Sequence, residues 1–268
     1  MSISIVTWTL GLTAADAVTA RAQALGLDGL QYAGDHRDID PGALREHAAA
    51  AGLQVIAIDP FNAGPANPAR ASAQAAIAYY CQVVDFAAAV GQVPVTLQGL
   101  SQWTRNCANR DAAYQRLVDC CKAVDHYARE RGVGTLYEVC NHYEVPLIHT
   151  AAQCQRLLEA IGGDNTRMIL DSFHMNIDEP APLQTLREYA SRTAIYHISD
   201  SGRGGIGTGH IDFAAQYRAL QQGGFAGVIA IEPVLAHRTP SNPPANEADA
   251  LELDEQIRHS AQVWRGYL

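Results

Sequence analysis

Four side chains that can bind a metal ion occur in the second half of the sequence, each at or near the end of a short apolar run. They are Glu138 in TLYEVC, Asp171 in MILDSF, His197 in AIYHIS and Glu232 in VIAIEP. Neighbouring members are about 30 residues apart, roughly the length of one strand with its helix. A single carboxylate at a strand end is usually only solvated, so the argument depends on finding four together.

The chemistry of this set is that of a hard divalent cation. Three carboxylates and one imidazole suit Mn²⁺, Mg²⁺ or Co²⁺ better than a structural zinc ion, which prefers thiolates or more imidazoles. Buried like charges repel strongly, and a cation among them would remove that cost. We therefore predict a metal site made of these four side chains.

The elements that position them follow from an alternation along the chain between short β-branched runs and longer runs of helical spacing. Glycines follow several of the helical runs, where a helix commonly ends in a left-handed residue. The predicted strands are Ile3–Thr9, Gly29–Tyr32, Gln54–Asp59, Val93–Leu97, Thr135–Val139, Arg167–Asp171, Ala194–Ser199 and Gly227–Glu232. The predicted helices are Ala14–Leu25, Pro41–Ala51, Ala69–Val90, Arg110–Arg131, Ala151–Ile161, Leu183–Ala190, Phe213–Gln222 and Glu247–Tyr267.

Eight strand–helix units in 268 residues predict an α/β fold, a single (β/α)8 TIM barrel formed by one catalytic domain over residues 1–268. The alternative is an open doubly wound sheet, but the first strand is not followed by the sequence G-x-G-x-x-G. In a barrel, the carboxyl ends of the strands carry the site. The four candidate ligands would then meet at one rim.

Three further polar residues could contact a substrate at this rim. Glu144, His174 and Arg203 each lie a few residues after one of the four candidate ligands. Arg203 stands in the glycine-rich segment HISDSGRGGIGTGH, whose backbone could approach a substrate oxygen closely. Taken alone, this segment could equally be a flexible surface loop. The segment could also bind phosphate, but it lacks the Gly-Lys-Ser/Thr sequence of a P-loop, so the evidence for phosphate binding is weak.

Several aromatic residues follow predicted strands and could line a pocket. They are Trp8, Phe61, Trp103, Tyr143 and Phe173. Buried aromatic residues more often belong to the core, and the sequence leaves both interpretations open.

Composition argues against several classes of partner. A formal net charge of −9 without any Lys/Arg cluster argues against nucleic acid and anionic membranes. No apolar run approaches the ~18–20 residues of a membrane span, and MSISIVTWTLGL lacks the basic region of a signal peptide. The six cysteines form no CxxC pair, so we expect reduced thiols, no zinc–thiolate site and a cytoplasmic location. We also expect a small-molecule substrate and a homo-oligomer, either a dimer or a tetramer.

The site segments resemble those of the xylose-isomerase-like sugar isomerase and epimerase superfamily, and within it the ketose 3-epimerases that act on D-tagatose and D-allulose (D-psicose). The segments that carry the resemblance are YEVCNHYE, LDSFHMNIDE, HISDSGRGGIGTGH and IEPV. The metal ligands that the resemblance implies are Glu138, Asp171, His197 and Glu232, and the substrate contacts are Glu144, His174 and Arg203. His142 and Tyr143 stand where the family usually has Arg-Phe. The first four strands do not match in the loops that would contact the distal carbons of a sugar.

The expected reaction is inversion of C3 in a free ketose of the D-tagatose, D-fructose or D-allulose type. Inverting a carbon beside a carbonyl requires one proton to leave and another to arrive on the opposite face, through an enediolate that needs electrostatic stabilisation. Glu138 and Glu232, from strands five and eight, are the candidate acid and base. Mn²⁺ is the expected Lewis acid, with Co²⁺ or Mg²⁺ as alternatives.

Other functions use the same residues. An aldose–ketose or inosose isomerase would return the proton to a neighbouring carbon, and a ribulose or xylulose phosphate 3-epimerase would act on a phosphorylated sugar. A dehydratase of the dehydroshikimate type would lose hydroxide from the next carbon. An inert metal-binding or sugar-binding barrel would be favoured by Gln or Asn in place of Glu138 or Glu232, and both glutamates are intact.

Overall fold

The computed structural model describes residues 2–60, 63–239 and 241–268. Eight parallel strands close into a barrel in chain order, with β8 pairing to β1. The strands are β1 Ile3–Val6, β2 Gly29–Ala33, β3 Gln54–Asp59, β4 Val95–Thr96, β5 Thr135–Glu138, β6 Thr166–Asp171, β7 Thr193–Ile198 and β8 Val228–Ile231. Helices follow the strands, so the predicted (β/α)8 barrel is confirmed.

Nine α-helices lie within the described ranges. They are α1 Ala15–Ala24, α2 Pro41–Ala50, α3 Ala73–Gly91, α4 Arg110–Arg129, α5 Ala151–Ile161, α6 Ser172–Asp178, α7 Pro182–Tyr189, α8 Phe213–Gln222 and α9 Glu247–Arg265. Six of the long helices begin at a side chain that accepts the backbone N–H three residues later. These caps are Asp40, Ser72, Asn109, Thr150, Asp212 and Asn246. Each satisfies an otherwise unpaired donor, so local sequence sets where these helices start.

The apolar core has two layers, one inside the barrel and one between the sheet and the helices. The inner layer is small and consists of Val6, Ala33, Ile56, Ala57, Leu136, Ile169, Ile195 and Ala230. The outer layer is larger and includes Tyr80, Leu117 and Trp264, all fully buried. Apolar side chains fill much of the barrel interior, and the buried carboxylate and imidazole side chains of the strands lie at or near their carboxyl ends.

Strand register places the candidate ligands side by side. Asp171 on β6 lies directly beside His197 on β7. Glu138 ends β5 and pairs with Ile169 of β6, and Glu232 follows the last residue of β8. Four successive strands therefore each deliver one candidate ligand to the same edge of the sheet.

Several element boundaries differ from the prediction, among them those of β1, β4 and α3. β1 ends at Val6, and Thr7–Leu10 forms a 3-10 turn that closes on Gly11 at φ 65°. β4 is only two residues long and is followed by a 3-10 segment, Gln98–Thr104. Helix α3 begins at Ala73, because Ser72 caps it. The sequence keeps a strand-like or helix-like composition past these boundaries. The strand pairing or the helical hydrogen bonding stops at them.

The sequence prediction missed helix α6, which follows β6 without a connecting loop. Asp171 ends the strand and also caps the helix, accepting the backbone N–H of His174 at 2.8 Å. Seven residues are too few for apolar periodicity to predict a helix. The short helix matters for the site because it begins at one candidate ligand and contains His174.

Helix α3 is long and apolar enough to cross a membrane by length and composition, with a mean hydropathy of 1.2, which the sequence reading did not expect. Such a helix can equally be a core helix, and here Tyr80, Val83 and Ala87 are fully buried. The helix packs against its neighbours α2 and α4 in the outer ring. The fold buries 39% of this apolar stretch, and so accounts for part of its apolar character.

Candidate metal centre and active site

The four predicted ligands come together at the carboxyl-terminal rim. Donor atoms of Glu138, Asp171, His197 and Glu232 all lie within 4.8 Å of one another, and all four residues are buried. His197 Nδ1 lies 3.1 Å from Glu138 Oε1 and 3.2 Å from Glu232 Oε2. Such a cluster could hold a divalent metal ion.

A glutamine on β2 determines which nitrogen of His197 faces this cluster. Gln31 donates from Nε2 to Asp59 Oδ2 at 3.4 Å, so its Oε1 is the acceptor that lies 2.9 Å from His197 Nε2. The Nε2 atom therefore carries the hydrogen, and Nδ1 points at two carboxylate oxygens. If the imidazole were neutral, the lone pair of Nδ1 would face the lone pairs of these carboxylate oxygens, and they would repel one another. A proton or a cation must lie there.

Electrostatics support the fit of a cation. Burial and the charges of Glu232 and Glu138 raise the pKa of Asp171 well above its usual value, and burial raises the pKa of Glu138. Burial opposes the protonation of His197, but the charges of Glu232 and Glu138 outweigh it and raise its pKa well above the usual value. Burial opposes ionisation of Glu232, but the charge of His197 lowers its pKa to about 2, so protons favour the other three members of this crowded anionic site. The donor set therefore fits a hard divalent ion, which would replace those protons.

His174 is placed by α6 and oriented by Asn141. The Asn141 amide accepts the Tyr143 N–H on Oδ1 at 3.0 Å, so its Nδ2 is the donor that lies 2.7 Å from His174 Nδ1. The hydrogen of a neutral His174 is consequently on Nε2, 3.9 Å from Glu138 Oε1. Burial lowers the pKa of His174 to about 3. The side chain is a neutral hydrogen-bond donor directed at the site.

Arg203 and Glu144 form an ion pair at the edge of the site. The Arg203 guanidinium also lies 5.6 Å from the Trp8 ring centre and 5.0 Å from the Phe173 ring centre. These contacts fix a largely buried cation beside the anionic cluster. With His174, the structure thus brings all three predicted substrate-contact residues to the same rim.

The glycine-rich segment after β7 is held by the buried carboxylate of Asp200. Asp200 Oδ1 accepts the N–H groups of Ser201 and Ile211 at 2.7 and 3.1 Å, and Oδ2 accepts that of Gly207 at 2.9 Å. Arg203 has a left-handed backbone, φ 67°, and its N–H donates to Asp200 O at 2.7 Å. These hydrogen bonds give the segment a defined loop conformation and hold Arg203 beside the cluster, although several residues of the loop are exposed.

A thiol also lies close to the cluster, which the sequence analysis did not expect. Donor atoms of Glu138, Cys140 and His174 lie within 4.8 Å of one another, and all three residues are buried. The hydrogen on His174 Nε2 makes that nitrogen a donor and not a ligand. Burial raises the pKa of the Cys140 thiol well above its usual value. These two features disfavour a second metal site here.

The cluster opens into a cavity of about 750 Å³. Glu138, Glu144, His174, Arg203 and Glu232 line it, together with residues of the loops after β3 and β4. Sequence reasoning missed several polar residues of the site, namely Gln31, Asp59, Gln98 and Asn141. The position of Asp59 at the end of β3 was a usable signal, because the same argument identified Asp171.

The aromatic residues have different surroundings. Trp8 lines the cavity and donates from Nε1 to Glu232 Oε1 at 2.8 Å, and Phe173 lies beside Arg203. Trp103 is buried and donates to the carbonyl of Ala63. Tyr143 is 78% exposed. Phe61 is outside the described residues.

Comparison with known proteins decides the family. Residues 19–265 match the family described as xylose isomerase-like TIM barrel. The chain belongs to this family. The resemblance found in the site segments is thereby confirmed.

Proteins similar to this chain include two L-ribulose 3-epimerases. That of Methylomonas sp. (strain DH-1) is 35% identical over 127 residues, covering 47% of this chain and 42% of that protein. That of Mesorhizobium japonicum is 32% identical over 164 residues, covering 61% and 47%. The matched segments therefore span about half the length of these relatives.

Solved structures match over the whole barrel. A structure of L-ribulose 3-epimerase superimposes with a TM-score of 0.83 at 27% identity, covering 99% of this chain and 94% of that chain. D-psicose 3-epimerase with D-tagatose from Clostridium cellulolyticum H10 has a TM-score of 0.81 at 22% identity, covering 100% and 99%. The second likeness shows the fold alone.

Proposed function

We propose that the protein is a metal-dependent sugar epimerase that inverts C3 of a free ketose. The observation that carries this proposal is that Glu138 and Glu232 both approach His197 Nδ1, at 3.1 and 3.2 Å, and both line a cavity large enough for a sugar. The 3-epimerase activity named for the similar proteins supports the same reaction. The one-domain organisation over residues 1–268, the cytoplasmic location and the homo-oligomer stay predictions.

In this proposal Glu138, Asp171, His197 and Glu232 hold the metal, with Mn²⁺ as the expected ion. A bound divalent ion supplies Lewis-acid polarisation of the substrate carbonyl and the neighbouring hydroxyl. Gln31 keeps the Nδ1 lone pair of His197 directed at the ion by accepting the hydrogen of Nε2. Trp8 holds Glu232 by donating to its Oε1, which leaves Oε2 facing His197.

The glutamates act as the base and the acid on opposite faces of C3. One removes the C3 proton to give an enediolate, and the other delivers a proton to the far face. The Nε2–H of His174 and the guanidinium of Arg203 donate to substrate oxygens and stabilise the enediolate charge. Glu144 fixes Arg203 through their ion pair. Together these contacts hold the reacting carbon between the two carboxylates.

The surroundings of the cavity favour a free ketose over a sugar phosphate. Arg203 is already paired with Glu144, and Asp59 adds another carboxylate to the lining. Arg105 also lines the cavity, but it is exposed and its Nε donates to Gln102. A phosphate would meet more negative than positive groups here, whereas the hydroxyls of a neutral sugar would find acceptors.

Proton NMR of a ketose panel in D₂O with the Mn²⁺-loaded protein tests the reaction. We expect C3-inverted products that carry deuterium at C3, because the returning proton comes from an exchangeable carboxyl. A 1,2-isomerase would label C1 or C2, and a hydride shift would label neither carbon. A phosphate ester turned over with a much larger kcat/KM than every free ketose would contradict the choice of substrate.

A further inference from the structure

A second polar cluster lies on the side of the barrel formed by the early strands, and two of its three members line the cavity. Gln31 is on β2, Asp59 ends β3, and Gln98 begins the 3-10 segment after β4. Asp59 and Gln98 line the same cavity as Glu138 and Glu232. The cluster is therefore within the space available to a ligand held at the metal centre, but on strands that carry none of the four metal-site residues.

The hydrogen bonds of this cluster leave acceptors for a ligand. Asp59 Oδ2 accepts from Gln31 Nε2 at 3.4 Å and from Gln98 Nε2 at 3.2 Å. Both bonds fall on one oxygen, so Oδ1 keeps its capacity to accept. Gln98 Oε1 is buried and has no hydrogen-bond partner among the described residues. A buried acceptor without a donor is costly, and a ligand donor reaching it after a small rotation of the amide would remove that cost.

The chemistry of these groups selects the ligand. Asp59 is buried, with 8% of its surface exposed, and its two neighbours in the cluster are neutral amides. A carboxylate and an amide oxygen accept hydrogen bonds from hydroxyl groups. A phosphate or carboxylate is disfavoured, because it would add negative charge beside Asp59, Glu138 and Glu232. Burial and repulsion from these two glutamates already raise the pKa of Asp59 to about 7.

We propose that Asp59 and Gln98 form a subsite that binds the hydroxyls on C5 and C6 of the ketose, beyond the reacting C2 and C3. This inference rests on the proposed function for the position of the reacting end at Glu138 and Glu232. Two acceptors on adjacent side chains bind two hydroxyls on neighbouring carbons. The substrate class is therefore a neutral ketose of at least six carbons with an unmodified hydroxylated tail.

Binding calorimetry on the Mn²⁺-loaded protein tests the subsite without requiring turnover. The probes are a 2-ketohexose and a 2-ketotetrose, which keeps the reacting carbons but lacks C5 and C6. Wild-type protein should bind the hexose more tightly. Asp59→Asn should weaken hexose binding about tenfold or more and change tetrose binding less than twofold. Gln98→Leu should shift the two affinities in the same pattern, by a smaller factor.

Asp85→Asn is the matched control, because Asp85 is an exposed carboxylate on the outer helix α3 and receives the same chemical change. It should leave both affinities unchanged. Metal content and thermal unfolding of each variant show that the fold and the metal centre are intact.

Three results would overturn the subsite. They are equal weakening of both sugars in Asp59→Asn, no weakening of either, or a wild-type preference for the tetrose. Equal weakening would mean that Asp59 acts on the metal centre through Gln31 and His197. C3 inversion is measured separately by NMR, so a protein that binds the hexose through Asp59 without inverting it would contradict the proposed reaction and not the subsite.

Discussion

At the scale of single residues, the site depends on hydrogen positions that neighbouring amides determine. Gln31 places the hydrogen of His197 on Nε2, and Asn141 places that of His174 on the same ring atom. The consequences are opposite. His197 presents a lone pair to the carboxylate cluster, whereas His174 presents an N–H group to the cavity. Two identical side chains thereby become suited to bind a cation and a substrate oxygen, respectively.

The two glutamates give the most direct prediction at this scale. Glu138→Gln and Glu232→Gln should each lower the rate of C3 inversion by about 10²–10⁴-fold, since positioned acid–base groups contribute that much. Each variant should still exchange deuterium into the one epimer whose C3 proton faces the remaining carboxylate. NMR in D₂O measures both effects, and metal analysis must accompany it. A fully metallated variant that inverts C3 at nearly the wild-type rate would show that the substituted glutamate is only a metal ligand, and neither the acid nor the base.

Asn141 gives a second residue-scale prediction. Asn141→Leu should free Nδ1 of His174 to take the hydrogen, because the amide donor that occupies its lone pair is lost. We expect kcat/KM to fall about tenfold or more, in line with the loss of one buried hydrogen bond in the transition state. The ¹⁵N shifts of the His174 ring report the tautomer directly. Tyr143→Phe is the control, because it keeps the backbone N–H that orients Asn141.

At the scale of elements, the residues that follow the strands decide the geometry of the rim. Asp171 ends β6, caps α6 and so directs His174 at the cavity. The loop after β7 is built around Asp200, which places Arg203 in a left-handed conformation. In both the cap of α6 and the loop after β7, a carboxylate at the end of a strand accepts backbone N–H groups. Strand-end carboxylates in this barrel therefore include structural members as well as candidate ligands.

The loop prediction concerns Asp200. Asp200→Asn replaces one acceptor oxygen with an NH₂ group that faces a backbone donor, so the free energy of unfolding should fall by about 1–3 kcal/mol. Turnover should also fall, because Arg203 loses its fixed position. Denaturant unfolding and kcat/KM measure the two effects.

Asp212→Asn is the matched control for that experiment. Asp212 caps α8 by accepting the N–H of Ala215 at 2.8 Å, and asparagine caps helices about as well as aspartate. The Asp212→Asn substitution should change the free energy of unfolding and kcat/KM very little. An Asp200→Asn protein as stable and as active as this control would show that the loop does not need the carboxylate.

At the scale of the whole molecule, the barrel places a crowded anionic cluster at one end of an apolar interior. Such a cluster stores electrostatic repulsion that the rest of the fold must offset, and a bound cation relieves it. Metal binding and folding should therefore be coupled. This coupling is the physical basis of the whole-molecule prediction.

Chelation should abolish turnover and lower the melting temperature, and Mn²⁺ should restore both. At 100 times its Kd, an ion that binds only the folded state stabilises it by about 2.7 kcal/mol. The stabilisation by Mn²⁺ should decrease as pH falls. The pKa values of Asp171 and Glu138 are raised, so protons compete with the ion for these carboxylates. Calorimetric unfolding with and without Mn²⁺ measures the shift.

His197→Gln removes a ligand and should make the melting temperature insensitive to Mn²⁺. Full activity in verified metal-free protein would contradict the proposed metal dependence.

The sequence by itself determined the barrel and the four-residue cluster. The reason is that both depend on local patterns repeated at regular intervals: an apolar strand, a polar residue at its end, and a helix whose cap is nearby. Eight such units close in only a few ways, and parallel strands bring their ends to one rim. Glu138, Asp171, His197 and Glu232 were therefore identifiable together.

Tertiary structure alone decided which groups these residues face. The bond from His197 to Gln31 joins residues 166 positions apart, and the bond from Trp8 to Glu232 joins residues 224 apart. No local pattern encodes such pairs, because they depend on which side chains the closed barrel turns inward at the same height. The ring hydrogens, the orientation of Glu232 and the cluster at Asp59 follow from that closure and not from the order of residues along the chain.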